Sequence, residues 1–550
     1  MPAGGRAVTA PASPAREARP PAATPGALTR ISGLAPFALA GAGGFLYALG
    51  FVGFGVWPLA LVAWVPLWAA LEALRRRRAG PLAAAGAGLA FGVAAYATGY
   101  AWLWRLVAVF LGGNAGTGAA LFAAHGVWFA GGFAVQALLF RAARTRGWPV
   151  ALAGVPALVA TEWLYPALFP LRLGNALVDQ TAWIQTADLG GPLLLSGLAG
   201  LANALAYEAV ALARARLARR APRARRAERA ARAFGGTFVG AGLVALAVLV
   251  YGAQRMEAVA RESLGAPALR VGLVQAHADV LAKRRDPERV HRAHLAQTRE
   301  LVAEGELDLV VWPETVYSRG IAGPLPVSGE LIRGELRAPL LFGAASVRTV
   351  GTRRLKFNSA LLVDADGVIR SGYDKNLLVP FAESVPVPAL APLFPHAEDF
   401  GAGESAPALR LAGFRIATPI CFEAVEPAFV RRMVAEARPH LLVTLANDGW
   451  FGDSQEPRIH LAVARLRAVE HRRYLVRATN SGISAVVDPL GRVVARTRLL
   501  AQENLRAGVR MLDGAPTVYG RLGDWPGALA AGLVALAVAL PAPSRDRRGP

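Results

Sequence analysis

The sequence predicts a membrane α-helical bundle of about eight spans that carries a layered α/β domain. The 550-residue chain is 54% hydrophobic with a mean hydropathy of +0.36, which is too apolar for an ordinary soluble protein. Long apolar segments fill residues 32–255 and return at 525–543. Between them, residues 266–512 show short apolar runs, such as 307–314, that are bounded by polar turns. Helical patterns lie between these runs, at 287–304 and 457–472, as expected for strands and helices stacked in layers.

The membrane spans follow from segment length. A helix needs about 20 predominantly apolar residues to cross the hydrocarbon core of a bilayer. Residues 1–31 contain no such run and are rich in Ala, Pro and Arg, so we predict a disordered tail and not a cleaved signal peptide. The glycine-rich stretch 32–56 leaves a hairpin open as an alternative to a single span. The predicted spans lie near 32–52, 57–74, 82–104, 117–140, 149–168, 184–212, 234–253 and 527–542.

The charge distribution predicts the orientation of the spans. The formal net charge is +22, and arginines cluster after spans two, four and six, at 75–78, 141–146 and 214–232. The tail 544–550 is also basic, and with eight spans all these clusters fall on one side of the membrane. The positive-inside rule makes that side cytoplasmic. We therefore expect a bacterial inner-membrane protein with both termini in the cytoplasm and the 266–512 domain in the periplasm. The charge marks topology, and nucleic acid is not an expected partner.

Three strand-like runs of the domain end in residues that suit catalysis. "VVWPET" puts Glu314 just past an apolar strand, "GYDKNLLVPFAESVP" carries Lys375 and Glu383, and "PICFE" holds the one cysteine of the chain, Cys421. Strand ends are where α/β folds place their active sites. Taken singly, each residue has another interpretation, because a lone cysteine is usually a small buried hydrophobe and most lysines lie on the surface.

The three residue types form a chemically complete set. A thiol reacts as thiolate, so it needs a lowered pKa or a base, and a neighbouring carboxylate can be that base. A lysine ammonium would favour the thiolate and stabilise an oxyanion. None of the three motifs contains a histidine, and His291 and His294 are predicted to be solvent-exposed on the charged helix 287–304. The sequence shows no zinc motif and no phosphate-binding glycine loop, so we predict no metal and no cofactor.

These motifs, together with "NDGWFGDS" (447–454), resemble the Glu–Lys–Cys signatures of the nitrilase superfamily. With seven preceding spans and one following span, the chain resembles the apolipoprotein N-acyltransferase family. The resemblance implies an αββα sandwich over 266–512. It also departs from the family at one position, since Arg284 stands where members often have a tryptophan. The site roles that it implies are Glu314 as general base, Lys375 as oxyanion cation, Cys421 as nucleophile, Glu383 as second carboxylate, Phe422 and Glu423 as the supporting positions where members often have Tyr-Glu, and Trp450 as a lid or acyl contact.

The resemblance also implies a reaction. An acyl chain would pass from a phospholipid, usually phosphatidylethanolamine, through a Cys421 thioester to the α-amine of the S-diacylglyceryl cysteine of an apolipoprotein. The expected partners are these two lipids and the membrane, and a monomer would suffice. The main alternative is a membrane-tethered amidase or nitrilase that uses the same three residues for hydrolysis. A transporter or receptor with a periplasmic binding domain is less favoured, because the charged residues in the apolar segments are few and lie near predicted span ends.

Overall fold

The computed structural model describes residues 27–111, 114–217, 224–278, 285–394 and 397–541. Residues 1–26 of the predicted tail, Arg284 and the basic tail 544–550 lie outside these ranges. The helices of the apolar part are α1 (Ala27–Gly50), α2 (Trp64–Arg76), α3 (Pro81–Gly99), α4 (Ala101–Phe110), α5 (Ala115–Thr145), α6 (Val150–Leu164), α7 (Thr181–Ile184), α8 (Ala187–Leu217) and α9 (Ala224–Gly265).

The prediction of a membrane bundle is confirmed. Within the described ranges, six helical segments are long and apolar enough to cross a membrane. They are Gly33–Gly50, Trp57–Arg76, Pro81–Gly99, Ala115–Thr145, Ala187–Leu217 and Ala231–Gly265. The predicted fifth and eighth spans are shorter apolar helices, α6 and a C-terminal helix at Trp525–Ala539. The first apolar stretch is one helix and not a hairpin, and the third ends at Gly99 instead of continuing to residue 104.

Small residues allow the bundle helices to approach one another closely. A Cβ on Gly88 of α3 would lie 2.3 Å from the backbone oxygen of Phe133 in α5, and a Cβ on Gly92 would lie 2.5 Å from Ala130. In lipid, where apolar surface gives little drive for association, such close backbone contact supplies the packing energy. These glycines therefore serve helix contact and not flexibility.

The domain is built from two stacked sheets. The strands are β1 (Ala268–Gln275), β2 (Leu309–Val311), β3 (Tyr317–Ala322), β4 (Val327–Ser328), β5 (Leu340–Val350), β6 (Arg353–Val363), β7 (Val368–Asp374), β8 (Leu409–Leu411), β9 (Phe414–Ala417), β10 (Leu441–Ala446), β11 (Tyr474–Thr479), β12 (Ala485–Val487), β13 (Val493–Arg496) and β14 (Glu503–Arg510). The first sheet has the strand order β14-β1-β2-β5-β6-β7-β4, with β3 paired to β5, and the second has the order β13-β12-β11-β10-β9-β8.

Helices cover the outer face of each sheet, which gives the predicted αββα sandwich. Buried residues of both sheets share one core, for example Leu341 and Val443. Leu301 of one helix belongs to a second core on the other face of the first sheet. The domain helices are α10 (Pro287–Ala303), α11 (Glu330–Arg333), α12 (Pro427–Ala437) and α13 (Glu456–His471), followed by α14 (Val518–Leu522) and the membrane helix α15 (Trp525–Ala539).

Two histidines of α10 correct an expectation. His291 and His294 were predicted to be exposed, but both are buried against the first sheet. His291 Nε2 lies 2.8 Å from the carbonyl oxygen of Ile332, and His294 Nδ1 lies 2.8 Å from that of Val290. The prediction was wrong because one ring nitrogen of each histidine pairs with a backbone carbonyl, which offsets part of the cost of burying the ring.

Helix α13 connects the domain to the bundle. Ala464 and Ala468 pack into the core between the sheets, whereas Ile459 and Leu466 belong to the core of the bundle. Arg472, directly after this helix, donates to Asp188 Oδ2 at 2.7 Å and to the backbone oxygen of Gln185 at 2.9 Å. Both contacts are buried, so one arginine of the domain fixes the start of α8.

Candidate active site

Three strand ends bring the predicted catalytic residues together. Glu314 follows β2 and Lys375 follows β7, both in the first sheet, whereas Cys421 follows β9 of the second sheet. The chain turns sharply after β2, because Thr315 has a left-handed φ of +48°. Gly343 makes room for that turn, since a Cβ there would lie 2.6 Å from the Cα of Glu314.

Lys375 lies between two carboxylates. Its Nζ is 2.8 Å from Glu383 Oε2 and 3.4 Å from Glu314 Oε1, and its side chain is 1% exposed. Asn358 donates through Nδ2 to Glu314 Oε1 at 2.8 Å and to Glu383 Oε1 at 2.9 Å. Burial disfavours the ammonium, but the negative charges of Glu383 and Glu314 outweigh it and raise the pKa of Lys375. The lysine therefore stays charged at neutral pH.

Cys421 starts a short 3-10 turn, Cys421–Val425, in a conformation that is rare for a residue with a side chain. Its φ is +51°, a left-handed value that costs roughly 1–3 kcal/mol and is found preferentially at active sites. Burial raises the pKa of the Cys421 thiol well above its ordinary value, and the negative charge of Glu314 raises it further while Lys375 opposes the rise. The resting thiol is therefore protonated and needs a base before it can attack.

Glu423 holds the segment after Lys375 against the short turn that begins at Cys421. Its Oε1 accepts hydrogen bonds from Tyr373 Oη at 2.6 Å, from the backbone N of Asn376 at 2.6 Å and from that of Leu377 at 3.0 Å. Its Oε2 accepts from the backbone N of Ile420 at 2.8 Å. Burial raises the pKa of Glu423 to about 7, although these donors favour its ionised form. The side chain thus joins the segments before Cys421 and after Lys375.

A row of hydrogen-bonded side chains, His460, Asp448 and Arg477, reaches the backbone of Cys421, and the sequence did not predict it. His460 Nε2 lies 3.2 Å from the backbone oxygen of Cys421, and His460 Nδ1 lies 2.9 Å from Asp448 Oδ1. Arg477 donates to Asp448 Oδ2 at 2.6 Å. Both partners of the imidazole are acceptors, so each contact needs an N–H on the ring nitrogen that makes it. The sequence signals were a histidine inside the helix pattern 457–472 and an Asn-Asp pair after β10.

Asp448, Glu456 and His460 have the side-chain types that can bind a metal ion. Ligand atoms of Asp448, Glu456 and His460 lie within 4.8 Å of one another, close enough to hold an ion. However, Arg477 already pairs with Asp448, and burial raises the pKa of Glu456 well above its ordinary value. A buried carboxyl with a raised pKa and a carboxylate already paired with a guanidinium are a poor set of ligands for a cation, so the residues fit a network of ion pairs better than a metal site.

The site opens into a cavity of about 500 Å³ between domain and bundle. Glu314, Lys375 and Cys421 lie on its wall, with Trp450 and Phe422 nearby. The bundle contributes to the same wall, and its Phe169 ring lies edge-on to Phe422 with the centroids 6.0 Å apart. Of the predicted supporting residues, Glu383, Phe422 and Trp450 line the cavity. Glu423 does not line it and instead binds the backbone next to Cys421 and Lys375. Much of the lining is apolar, which suits an acyl chain.

Comparison with known proteins gives two family matches that divide the chain as the fold does. Residues 270–509 match the carbon-nitrogen hydrolase family, and residues 43–205 match the apolipoprotein N-acyltransferase N-terminal domain. The apolipoprotein N-acyltransferase of Geobacter metallireducens is 31% identical over 505 residues, covering 88% of this chain and 90% of that protein. The enzyme of that name from Gloeobacter violaceus is 32% identical over 532 residues, covering 90% and 92%. Among solved structures, Nit3 of Saccharomyces cerevisiae, a nitrilase-superfamily member, matches with 18% identity and a TM-score of 0.36, covering 44% of this chain and 90% of that one.

Proposed function

The chain belongs to the apolipoprotein N-acyltransferase family, and we propose that Cys421 carries the transferred acyl group as a thioester. The chain is a membrane acyltransferase of lipoprotein maturation, as its full-length relatives are. What the proposal adds is the route of the acyl group through named residues. The observation that carries it is the placement of Glu314, Lys375 and Cys421 on one wall of a cavity that the bundle helps to close.

In the first half-reaction Glu314 accepts the thiol proton of Cys421, and the thiolate attacks an ester carbonyl of a phospholipid. The Lys375 ammonium stabilises the resulting oxyanion. When the intermediate collapses, the ester C–O bond breaks and the lysophospholipid oxygen takes the proton from Glu314. The acyl group is left on Cys421 as a thioester.

In the second half-reaction the α-amine of a diacylglyceryl cysteine attacks the thioester. Glu314 takes a proton from the attacking nitrogen and passes it to the sulfur as the C–S bond breaks, so Cys421 is released as thiol and Glu314 as carboxylate. Lys375 serves the same oxyanion position again. Two half-reactions through one cysteine predict ping-pong kinetics, and the largely apolar cavity protects the thioester from water.

The proposed donor is a phospholipid, phosphatidylethanolamine in the first place, and the proposed unit is a monomer. We also propose that the bundle, residues 32–255 and 525–543, lies in the bacterial inner membrane with both termini cytoplasmic. The catalytic domain, residues 266–512, then faces the periplasm. The arginine clusters support this orientation because, with eight spans, they all fall on one side of the membrane, and the positive-inside rule makes that side cytoplasmic.

The deciding experiment is the intact mass of the purified protein after incubation with phosphatidylethanolamine, with Cys421→Ala as the control. An acyl adduct on the wild type alone, discharged by a diacylglyceryl-cysteine peptide with formation of N-acyl peptide, is the expected result. An adduct that decays to free fatty acid while the peptide stays unmodified would favour the hydrolase alternative. The full-length match to acyltransferases argues against that alternative.

A further inference from the structure

A cavity of about 800 Å³ lies at the junction of bundle and domain, at the opposite end of α13 from the active site. Arg472 and Arg473, which follow the last residue of α13, line this cavity, whereas His460 near the start of the helix lines the catalytic one. From His460 to Arg472 the helix rises by roughly 18 Å. We call this space the junction cavity.

The wall of the junction cavity carries more positive than negative charge. Its five arginines are Arg255, Arg261, Arg472, Arg473 and Arg521. Its three carboxylates, Asp188, Glu262 and Asp513, leave a net charge of +2. Each carboxylate already has a guanidinium partner. Asp188 pairs with Arg472 and Arg255 at 2.7 and 3.0 Å, Glu262 pairs with Arg255 at 3.5 Å, and Asp513 pairs with Arg415 at 3.1 Å.

Arg473 is a buried arginine of this wall without a carboxylate within 4 Å among the described residues. Its five N–H groups have four partners there, all backbone carbonyls, with Pro439 at 2.6 Å and Gly514 at 2.7 Å as the shortest. Carbonyl oxygens accept its hydrogen bonds but leave its charge in place. The more distant Asp513 attracts the guanidinium, Arg415 repels it, and burial lowers the pKa of Arg473. A bound anion would offset the cost of this buried charge.

Two exposed arginines add to the same wall. Arg521 Nε donates to the backbone oxygen of Pro516 at 3.0 Å, and no carboxylate lies within 4 Å of Arg521 in the part of the chain that the structure describes. Arg261 has only a long, exposed pair with Glu257 at 3.7 Å. Guanidinium groups stay charged and bind phosphate oxygens through parallel N–H donors. The wall therefore has the chemistry of a phosphate site.

The junction cavity lies where two membrane helices meet the domain. Helix α9 ends at Gly265 on the cavity wall, and the wall segment 511–521 leads into α15. Tyr251 Oη donates to Asp188 Oδ1 at 2.7 Å. Trp525 Nε1 donates to the backbone oxygen of Leu189 at 2.8 Å. Such amphipathic aromatic residues are typical of the boundary between hydrocarbon and headgroups, which is the level of lipid phosphates.

Exposed apolar side chains lie beside the arginines. Leu522 directly follows Arg521 and is 64% exposed, and Leu264 directly precedes the wall residue Gly265 and is 76% exposed. The acyl chains of a lipid would cover such side chains, and a free phosphate ion would not. The combination of a positive cavity with apolar neighbours therefore suits a phospholipid.

We propose that the junction cavity binds the phosphate of an anionic phospholipid, which stays bound as a structural lipid between bundle and domain and is not the acyl donor. Its wall joins α9, the end of α13 and the segment before α15, so one lipid contacts all three. The net positive wall should favour phosphatidylglycerol over phosphatidylethanolamine, whose ammonium it repels. The proposal does not depend on the thioester route, because it concerns binding alone.

The test counts bound lipids by native mass spectrometry of the full chain in detergent. Every protein carries Cys421→Ala, so that no lipid is consumed, and the lipids have matched acyl chains. We expect one phosphatidylglycerol to bind about tenfold more tightly than phosphatidylethanolamine, and Arg473→Gln and Arg521→Gln each to weaken that copy about tenfold. Diacylglycerol, which lacks the phosphate, should not replace it, and inorganic phosphate at equal concentration should not displace it.

Arg333→Gln is the matched control for the buried arginine. Arg333 is also buried, donates to the carbonyls of Asp364 and Ala365, has no carboxylate within 4 Å among the described residues, and does not line the cavity. Arg299→Gln is the control for the exposed one, since Arg299 is 65% exposed and also lies outside the wall. Both controls should keep the tight copy.

Unchanged binding in the cavity variants, or an equal loss in the controls, overturns the proposal. If Arg473→Gln fails to fold, the exposed Arg521→Gln decides alone. Equal affinity for phosphatidylethanolamine would overturn the anionic preference, and equal affinity for diacylglycerol would show that the acyl chains alone bind. Displacement by inorganic phosphate at equal concentration would make free phosphate the ligand and overturn the lipid assignment.

Discussion

Lys375 Nζ lies closer to Glu383 than to Glu314, at 2.8 Å against 3.4 Å. Glu383 therefore supplies the stronger share of the lysine's counter-charge. Glu314 is less tightly paired with this lysine, which suits its proposed role of accepting a proton from Cys421.

This pairing predicts that Glu383→Gln slows the reaction although Cys421 itself is unchanged. The amide oxygen still accepts from Asn358, but Lys375 is left with one carboxylate and pairs more strongly with Glu314. Glu314 then becomes a weaker base, and we expect acyl-enzyme formation to slow by roughly 10²-fold. Intact-mass time courses measure the rate, and a wild-type rate in the variant would show that Glu383 does not tune the base.

Glu314→Gln should have opposite effects on two reactions of Cys421. Burial and the charge of Glu314 both raise the pKa of the thiol, so removing that charge lowers the pKa and increases the thiolate fraction at a given pH. Alkylation by iodoacetamide at pH 8 to 9 should become faster, while acyl-enzyme formation falls by about 10²- to 10⁴-fold through loss of the base.

The comparison variant for that test is Lys375→Met, which removes the positive charge that opposes the rise in the thiol pKa. Alkylation should become slower in this variant at every pH. If alkylation and acylation fall together in Glu314→Gln, the glutamate supports the fold of the site and not proton transfer.

His460 is predicted to position the nucleophile. Its Nε2 donates to the backbone oxygen of Cys421, where φ is left-handed and needs outside support. His460→Ala should lower kcat by roughly 10²-fold, with a smaller effect on KM, because the thiol is misplaced and not the lipid. His460→Gln retains an N–H donor and should recover part of kcat. Equal kcat in the two variants would count against a positioning role.

Asp188 is predicted to stabilise the junction of domain and bundle. Asp188→Asn leaves the buried guanidinium of Arg472 without its carboxylate, at a cost of about 3–5 kcal/mol in free energy of unfolding. The melting temperature in detergent should drop by several degrees. Glu257→Gln serves as control, since its pair with Arg261 is exposed and contributes little. Equal melting temperatures for the two variants would mean that the junction does not limit stability.

Much of the fold followed from residue patterns because those patterns are local. The run 307–314 predicted a strand with Glu314 at its end, and β2 ends at Val311, three residues before it. The helix patterns 287–304 and 457–472 correspond to α10 and α13 within one residue at each end. Strand ends of two stacked sheets meet, so the grouping of Glu314, Lys375 and Cys421 was accessible from the sequence together with the family resemblance.

The features that the sequence did not predict depend on contacts between segments that are distant in the chain. Asn358 lies in a strand run and gave no sign that it would bridge two glutamates. His460 belongs to a helix packed on both sides, between a sheet and the bundle, so its apolar pattern did not show which face pointed at Cys421. The burial of His291 and His294 was missed because hydrogen bonds to backbone carbonyls are invisible in the sequence.

The burial of Cys421 also bears on oxidative damage. Oxidants attack thiolates, and susceptibility rises with thiolate fraction and exposure, so a half-buried thiol with a raised pKa is protected at rest. That protection ends whenever the thiolate forms without a lipid ester to react with. Cys421 is the one cysteine in the 550 residues, so a sulfenic acid formed there has no resolving thiol in the chain. Recovery of the oxidised protein must then come from an external reductant, and under the proposed thioester route the redox state of the surroundings would control lipoprotein acylation through Cys421.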